Sequence, residues 1–434
     1  MLNRLDLRGA GTNLRGKLPR PAQATDGPVA AVKEILADVR ARGDEAVLDL
    51  TERFDGVRPA SLRVDPASIT AALEGLDPDL RAALERAAAG ITDFHQHQVI
   101  ANHTYERDGI VVEGRKVPVD RAGCYVPGGR AIYPSTVLMT AIPAKVAGVA
   151  EVVLCVPPDN TGTVPAVTLA AAAIAGVDEV YVIGGAQAIG AMAYGTATVR
   201  PVDVIVGPGN VYVAIAKREV AGLVGVPSSF PGPSEVVVIA DDTAPVDLAA
   251  VDVILQAEHG PGGLAWLISW SEAALDAICA EIEAQVAVAP RRADIESTFA
   301  QGGFAVLCDS PEQALAVSNL IAPEHLELIT EDPQGLVPLV RHAGAVFCGP
   351  WSPASVGDYL AGPSHVLPTD GTARFSSALT VSDFVKDVHV ITLDQAALEK
   401  AAPIVAAIAD AEGLAAHAES VRRRVGRGPT GQVV

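Results

Sequence analysis

Residues 255–263 read LQAEHGPGG, an apolar helical pattern that runs into Gln256, Glu258 and His259 and stops at Gly260-Pro261-Gly262-Gly263. Gln256 and His259 are three apart and share one helix face, whereas Glu258 points elsewhere. A helix that ends on glycine and proline holds such a face at an element boundary, where clefts form. Taken alone, the pair fits a packed core histidine beside an exposed amide better than it fits a site. Three further polar islands change that balance: APEHLEL with Glu324 and His325, GDYLAGPSHVLP with Asp358 and His365, and EGLAAH with Glu412 and His417. Imidazole, carboxylate and amide oxygen without thiolate make up the ligand set of zinc, or a neighbouring divalent ion, in a reactive site. An adjacent Glu-His pair offers two proton acceptors of different pKa, suited to two successive proton abstractions. Residue chemistry alone reaches a metal-assisted enzyme. His95 and His97 lie two apart on a helical stretch, face different ways and read as surface residues.

The elements that must position these groups come in three kinds. PVAAVKEILADVRARGDEAVLDLTERF and DPDLRAALERAAAGITDFHQHQVI space apolar residues at three and four and predict helices. TYERDGIVVEGRKVPV alternates around Asp108-Gly109 and predicts a hairpin. From Arg121 onward, strands such as EVVLCV, EVYVIGG and VDVIVGPGN alternate with Ala-rich helices, the pattern of parallel strands joined by right-handed crossovers. A second such series runs from Glu235 to Thr380, with strands at VVVIA, AWLIS, FAVLC and GAVFC. Two doubly wound parallel-sheet domains, incomplete and Rossmann-like, are therefore expected. They are flanked by an N-terminal arm over 1–20 and a C-terminal helical tail over 381–434. The expected grouping is 21–120 with 235–380 as the first α/β domain, bearing metal and catalytic residues, and 121–234 as the second. The glycine turns VIGGAQAIG and VIVGPGNVY sit at strand ends where backbone amides can face a phosphate, although neither matches G-x-G-x-x-G. In open α/β sheets the ligand lies at the carboxyl ends of the strands.

Composition narrows the function class. The chain has 434 residues and a formal net charge of −20, which disfavours nucleic acid and anionic membrane as partners. Its opening residues contain no signal-like apolar run, and no later run reaches the roughly 20 residues a spanning helix needs, so a cytoplasmic protein is expected. The five cysteines show no C-x-x-C pair, which points to buried, reduced thiols. The Arg422–Arg424 run follows a helical stretch and complements its carboxyl end.

The blocks QAEHGP, GCYVPGG, GGAQAIGA, GPGN, GPSE, APEHLEL, GPWSP, GDYLAGPSHVLPT and EGLAAH occur in an order and spacing that resemble histidinol dehydrogenase nearly end to end. The resemblance implies a zinc- and NAD-dependent enzyme that oxidises L-histidinol through the aldehyde to L-histidine. It implies one zinc per subunit on Gln256, His259, Asp358 and His417, with Glu324 and His325 as the proton-transfer pair. Tyr125, Gln187 and Asn210 become the cofactor contacts. Ser234, His365 and Glu412 join His325 and the metal ligands around the substrate. A homodimer is implied as well, since Glu412 and His417 in the tail would reach the neighbouring subunit's site. One stretch departs from the family pattern: VPSSFPGPSE places Pro231 before Gly232, where a small residue is usual, which stiffens the approach to Ser234.

Other readings stay open on sequence alone: a related zinc and NAD enzyme for another amino alcohol or polar diol, a binding protein on a nucleotide fold, and a metal-dependent hydrolase using Glu324 on water. The substrate residues around the metal favour histidinol over other alcohols. The Glu-His pair disfavours mere binding, and the three cofactor residues disfavour hydrolysis.

Overall fold

A computed structural model describes residues 1–19, 28–128, 131–227, 234–258, 260 and 262–426. Its strands are β1 (Asn3–Asp6), β2 (His103–Arg107), β3 (Ile110–Pro118), β4 (Arg121–Tyr125), β5 (Glu151–Val156), β6 (Glu179–Val182), β7 (Val204–Val206), β8 (Glu235–Ala240), β9 (Leu264–Ser269), β10 (Gly303–Leu307), β11 (His325–Ile329), β12 (Ala345–Cys348) and β13 (Val385–Leu393). The chain forms two compact units, one of Met1–Gln98 with Val119–Phe384, the other of Val99–Pro118 with Val385–Val434.

The first unit contains both expected parallel sheets, one of four strands in the order β6-β5-β4-β7 and one of six in the order β1-β10-β9-β8-β11-β12. Every residue of β8 is buried, because helices cover both faces of the larger sheet and alternate side chains serve opposite cores. Val236 and Val238 pack with the helices Val246–Ala257 and Glu272–Val288, while Val237 and Ile239 pack with Trp266 and the helix Pro311–Ile321. The smaller sheet is covered in the same way, with Cys124 and Leu154 facing one core and Val153 and Cys155 the other.

Several expectations need correction. The helices Val29–Arg42 and Pro78–Gln96 were grouped from sequence with the later sheet, yet Val32, Leu36, Leu84 and Ile91 pack on the four-stranded one. Periodicity says that a face is buried and is silent about which surface buries it. The N-terminal arm is not a free extension: β1 pairs in parallel with β10, from Asn3 opposite Phe304 to Asp6 opposite Leu307. His95 is a core residue with no exposed surface, its Nδ1 2.8 Å from Gln98 Oε1. Leu84, Ala88, Ile91 and His95 follow one another at four, three and four, so it falls on the helix's apolar stripe. His97 is exposed as expected. All five cysteines are free, three of them buried and Cys279 and Cys348 half-buried.

The second unit is a three-stranded antiparallel sheet, β13-β3-β2, with the helices Gln395–Ala411 and Ala415–Arg422. The expected hairpin is present, with Asp108 and Gly109 at φ of 55° and 79° between paired Arg107 and Ile110. The tail, expected to be helical over 381–434, begins instead with the nine-residue strand β13, which pairs along the whole of β3. Ala406, Ala409 and Ala418 pack the two tail helices together, and Arg422 pairs with Asp410 across them.

Candidate functional site

Several of the residues singled out by sequence gather where the two sheets of the first unit present opposite polarity. β8 and β11 are parallel neighbours, His325 standing opposite Val236. Glu324, His325 and Glu235 therefore lie at the amino ends of those strands. The helix Val246–Ala257 returns antiparallel and delivers Gln256 to the same edge. The strand-end rule holds for the four-stranded sheet, where Tyr125 closes β4, Gln187 follows β6 and Asn210 follows β7. For the six-stranded sheet it is reversed. APEHLEL, read as a polar island, includes the start of β11, and Glu324 immediately precedes that strand.

His325 is held from several sides. Its Nδ1 lies 3.2 Å from the Glu235 carbonyl oxygen, 3.3 Å from the Gln256 amide and 3.6 Å from Glu324 Oε2. Its Nε2 lies 3.3 Å from Asp358 Oδ1. Donation from Nδ1 to the Glu235 carbonyl, in place of acceptance from the Gln256 amide nitrogen, leaves Nε2, beside Asp358, as the nitrogen that gains or loses a proton. Burial alone lowers the imidazole's pKa, but the Asp358 bond and the Glu324 charge outweigh it, and the net direction is upward. Glu324 accepts the backbone N–H of Glu235 at 3.0 Å, and burial, the largest influence, pushes its carboxyl up to about 7.

His365 ties this edge to the other sheet. Its Nδ1 donates to the Asp358 carbonyl at 2.8 Å, and its Nε2 stands 3.1 Å from the hydroxyl of Thr136, at the start of the helix that follows β4. Glu324, His365 and Ser234 line one cavity of about 120 Å3 together with Gly207, Gly209 and Lys217. Carboxyl-end turns of one sheet and amino-end residues of the other thus share a cavity.

On the four-stranded side, Gly185 N–H donates to the Tyr125 hydroxyl at 3.0 Å, and the Gln187 side chain folds back so closely that a Cβ at Gly185 would stand 2.7 Å from its Oε1. Gln187 is 1% exposed and its amide nitrogen has no partner among the described residues, a donor that asks for an acceptor. Asn210 caps the helix Val211–Val220, its Oδ1 accepting from Tyr212 and Val213 N–H. Sequence reasoning missed Thr136 and Lys217. Lys217 is 5% exposed and donates to the Gly207 carbonyl at 2.8 Å, bracing the GPGN turn from within the helix it opens. Its place four residues after Val213 and three after Ala214, both buried, marked it as a buried cation.

The other residues fall elsewhere. His259 and the 228–233 stretch with Pro231 lie outside the described residues. Glu412, which caps the carboxyl end of Gln395–Ala411, and His417, on Ala415–Arg422, are exposed residues of the second unit. Gln256 and Asp358 are thus the two metal candidates that the first unit brings to one place. Their donor set, a buried amide and a carboxylate flanking an imidazole, fits a divalent ion held by nitrogen and oxygen.

The family model for histidinol dehydrogenase matches residues 18–425. A histidinol dehydrogenase from Chlorobium chlorochromatii (strain CaD3) is 48% identical over 413 residues, covering 95% of this chain and 96% of that one. One from Geobacillus kaustophilus (strain HTA426) is 47% identical over 399 residues, covering 92% and 94%. The crystal structure of histidinol dehydrogenase from Elizabethkingia anophelis superposes with a TM-score of 0.92 at 34% identity, covering 98% of each chain.

Burial lowers Lys217 from 10.5 to about 8. Between those values the unfolded chain binds the extra proton, so stability grows as pH rises and is lost as pH falls through about 8. Urea unfolding at pH 7.5 and pH 10 should show wild type gaining on Lys217→Met by on the order of 3 kcal/mol. An unchanged difference between the two proteins would contradict a buried, cavity-facing amine.

Proposed function

The chain belongs to the histidinol dehydrogenase family, an oxidoreductase of histidine biosynthesis that takes L-histidinol through the aldehyde to L-histidine, and from that premise we propose how its own residues do so. The observation that carries the reading is the convergence of Gln256, Glu324, His325, Asp358 and His365 on the edge that shares a cavity with the Gly207–Gly209 turn before Asn210.

Gln256, His259, Asp358 and His417 would hold one zinc ion, and the side of Tyr125, Gln187 and Asn210 would hold NAD. Bound zinc supplies an anchor for the substrate's imidazole or amine, and bound NAD supplies the hydride acceptor. With Oδ1 of Asn210 engaged in capping, its amide nitrogen is the group left to donate to the dinucleotide. The unpartnered nitrogen of Gln187 supports the same assignment.

His325 takes the alcohol proton at Nε2. Its link through Nδ1 to the Glu235 carbonyl fixes the ring plane, and Asp358 stabilises the imidazolium that forms. Glu324, with its carboxyl near neutral, activates water against the aldehyde, and His325, once it has released the first proton to solvent, accepts the proton of the hydrate. The cavity lined by Glu324, His365 and Ser234 would keep a reactive aldehyde beside these groups between the two oxidations. Ser234, Glu412 and His365 complete the substrate contacts. Both ring nitrogens of His365 are engaged, so it reaches substrate by exchanging the Thr136 bond.

The six-stranded sheet is then the metal and catalytic side, and the four-stranded sheet the NAD side. We assign the active form as a homodimer in which Glu412 and His417 complete the partner's site, working in the cytoplasm without nucleic acid or membrane partners. No helix among the described residues is long and apolar enough to cross a membrane.

Purified protein given L-histidinol and NAD should yield two NADH per histidine. One NADH with released aldehyde would replace the reading by a single-step alcohol dehydrogenase. Glu324→Gln should slow aldehyde oxidation about 100-fold or more while leaving alcohol oxidation less affected, and equal losses in both steps would remove the role given to Glu324. Dilution below the dimer dissociation constant should abolish activity and loosen zinc together. A zinc-retaining, active monomer is the opposite outcome and sinks the shared site.

A further inference from the structure

Behind Gln256, His325 and Asp358 stands a second set of groups, one step further along the same three elements. Asp252 is one helical turn before Gln256 on Val246–Ala257, Glu327 is two residues after His325 on β11, and Ala354 is one turn before Asp358 on the helix Ala354–Tyr359. Residues two apart on a strand share a side, and residues four apart on a helix share a face. Glu327 Oε1 accepts the Ala354 N–H at 3.2 Å, and the Glu327 carboxyl is hydrogen-bonded to that of Asp252. The two are 1% and 5% exposed. Carboxylates only accept, so two carboxyls that bond each other hold a proton between them. Burial, the largest influence on each, acts in the matching direction and raises both.

Leucines in the same space would spare the cost of burying two acids. What hydrogen bonds contribute and leucines cannot is direction. Glu327 is the single side chain among these that reaches both neighbouring helices, one through Asp252 and one through the first amide of Ala354–Tyr359.

We propose that Glu327 and Asp252 form an internal brace, a carboxyl pair closed by the Ala354 amide, that sets the spacing of Gln256, His325 and Asp358. Both are positioning residues and neither touches substrate. The brace rests on the reading of those three as the metal and base site. Displacing such groups by about 1 Å costs on the order of 100-fold in rate, and loss of the partners that orient metal ligands costs about 10- to 100-fold in affinity or activity.

The test compares two substitutions of equal bulk. Glu327→Gln keeps an oxygen for the Ala354 amide and offers N–H to Asp252. Glu327→Leu removes both links. Relative to wild type, the Gln variant should stay within a few-fold in kcat and in zinc affinity measured by chelator competition without substrate. The Leu variant should lose about 10- to 100-fold in both, with KM for NAD unchanged and a native circular dichroism spectrum. If Glu327→Leu fails to fold, Asp252→Asn against Asp252→Leu poses the same comparison from the helix side. A folded Leu variant with wild-type kcat and zinc affinity overturns the brace, as does a folded Gln variant as impaired as the Leu variant. Neither result touches the assigned reaction, which stands or falls on wild type's NADH yield.

Discussion

A single imidazole ring organises the chemistry of this protein. His325 has a carbonyl oxygen at one nitrogen and a carboxylate at the other, so its plane and its basicity are set together. The carbonyl belongs to Glu235, first residue of the neighbouring strand, and the next strand pair along is His325 with Val236. Sheet registry itself therefore aims the base. A slip of one residue between β8 and β11 would turn His325 to the other face and place Leu326 at the edge. That is why the most chemically exacting group sits on a central strand and not on a loop.

The opposed polarity of the two sheets explains the division of labour. Carboxyl ends of parallel strands release the chain into turns that open helices, and there Gly185, Gly207 and the Asn210 cap leave backbone amides and small side chains facing outward. Amino ends receive the chain from helix carboxyl termini, which bring longer polar side chains such as Gln256 with them. One edge is suited to lie close along an extended ligand, the other to surround an ion and a small polar molecule. Gly207 shows how close the approach is: at φ 107° a Cβ there would collide with the Tyr125 carbonyl oxygen. Lys217 anchors that same glycine's carbonyl, so the turn is tied to the strand at one side and to its own helix at the other.

Most of the site's membership was legible in the sequence, and much of its placement was not. Gln256, Glu324, His325, Asp358 and His365 stood out because polar groups interrupt apolar text, a local signal. β11 was missed because the same interruption hides a strand, its one acid and one imidazole masking the Leu and Ile around them. β1 was missed because NRLD has no apolar run, and it is a strand only because β10 offers an open edge. His95 carried its signal in helical spacing, and the resemblance of a lone histidine to surface text overrode it. Thr136, Asp252 and Glu327 act through partners far away in the chain, and no window of sequence contains both members of any of those pairs.

The density of acid at the amino edge is the remaining physical problem. Glu235, Glu324, Glu327, Asp252 and Asp358 crowd around one histidine. Glu235, buried with one oxygen that has no partner among the described residues, is pushed up to about 8, first by burial and then by repulsion from Glu324 and Asp370. Such an arrangement spends stability unless protons or a cation offset it. Protons do so at the back, where Asp252 and Glu327 bond each other. At the front, Asp358 keeps partial access to solvent and Gln256 contributes an amide instead of another acid, so the net charge there is one that a single divalent ion can balance without first displacing protons. The same layout keeps Glu324 near neutrality, where a carboxyl can both give up and hold a proton at the pH of its surroundings. On the proposed reading the acids behind the ring act as structure and those before it as chemistry, with His325 at the boundary between the two roles.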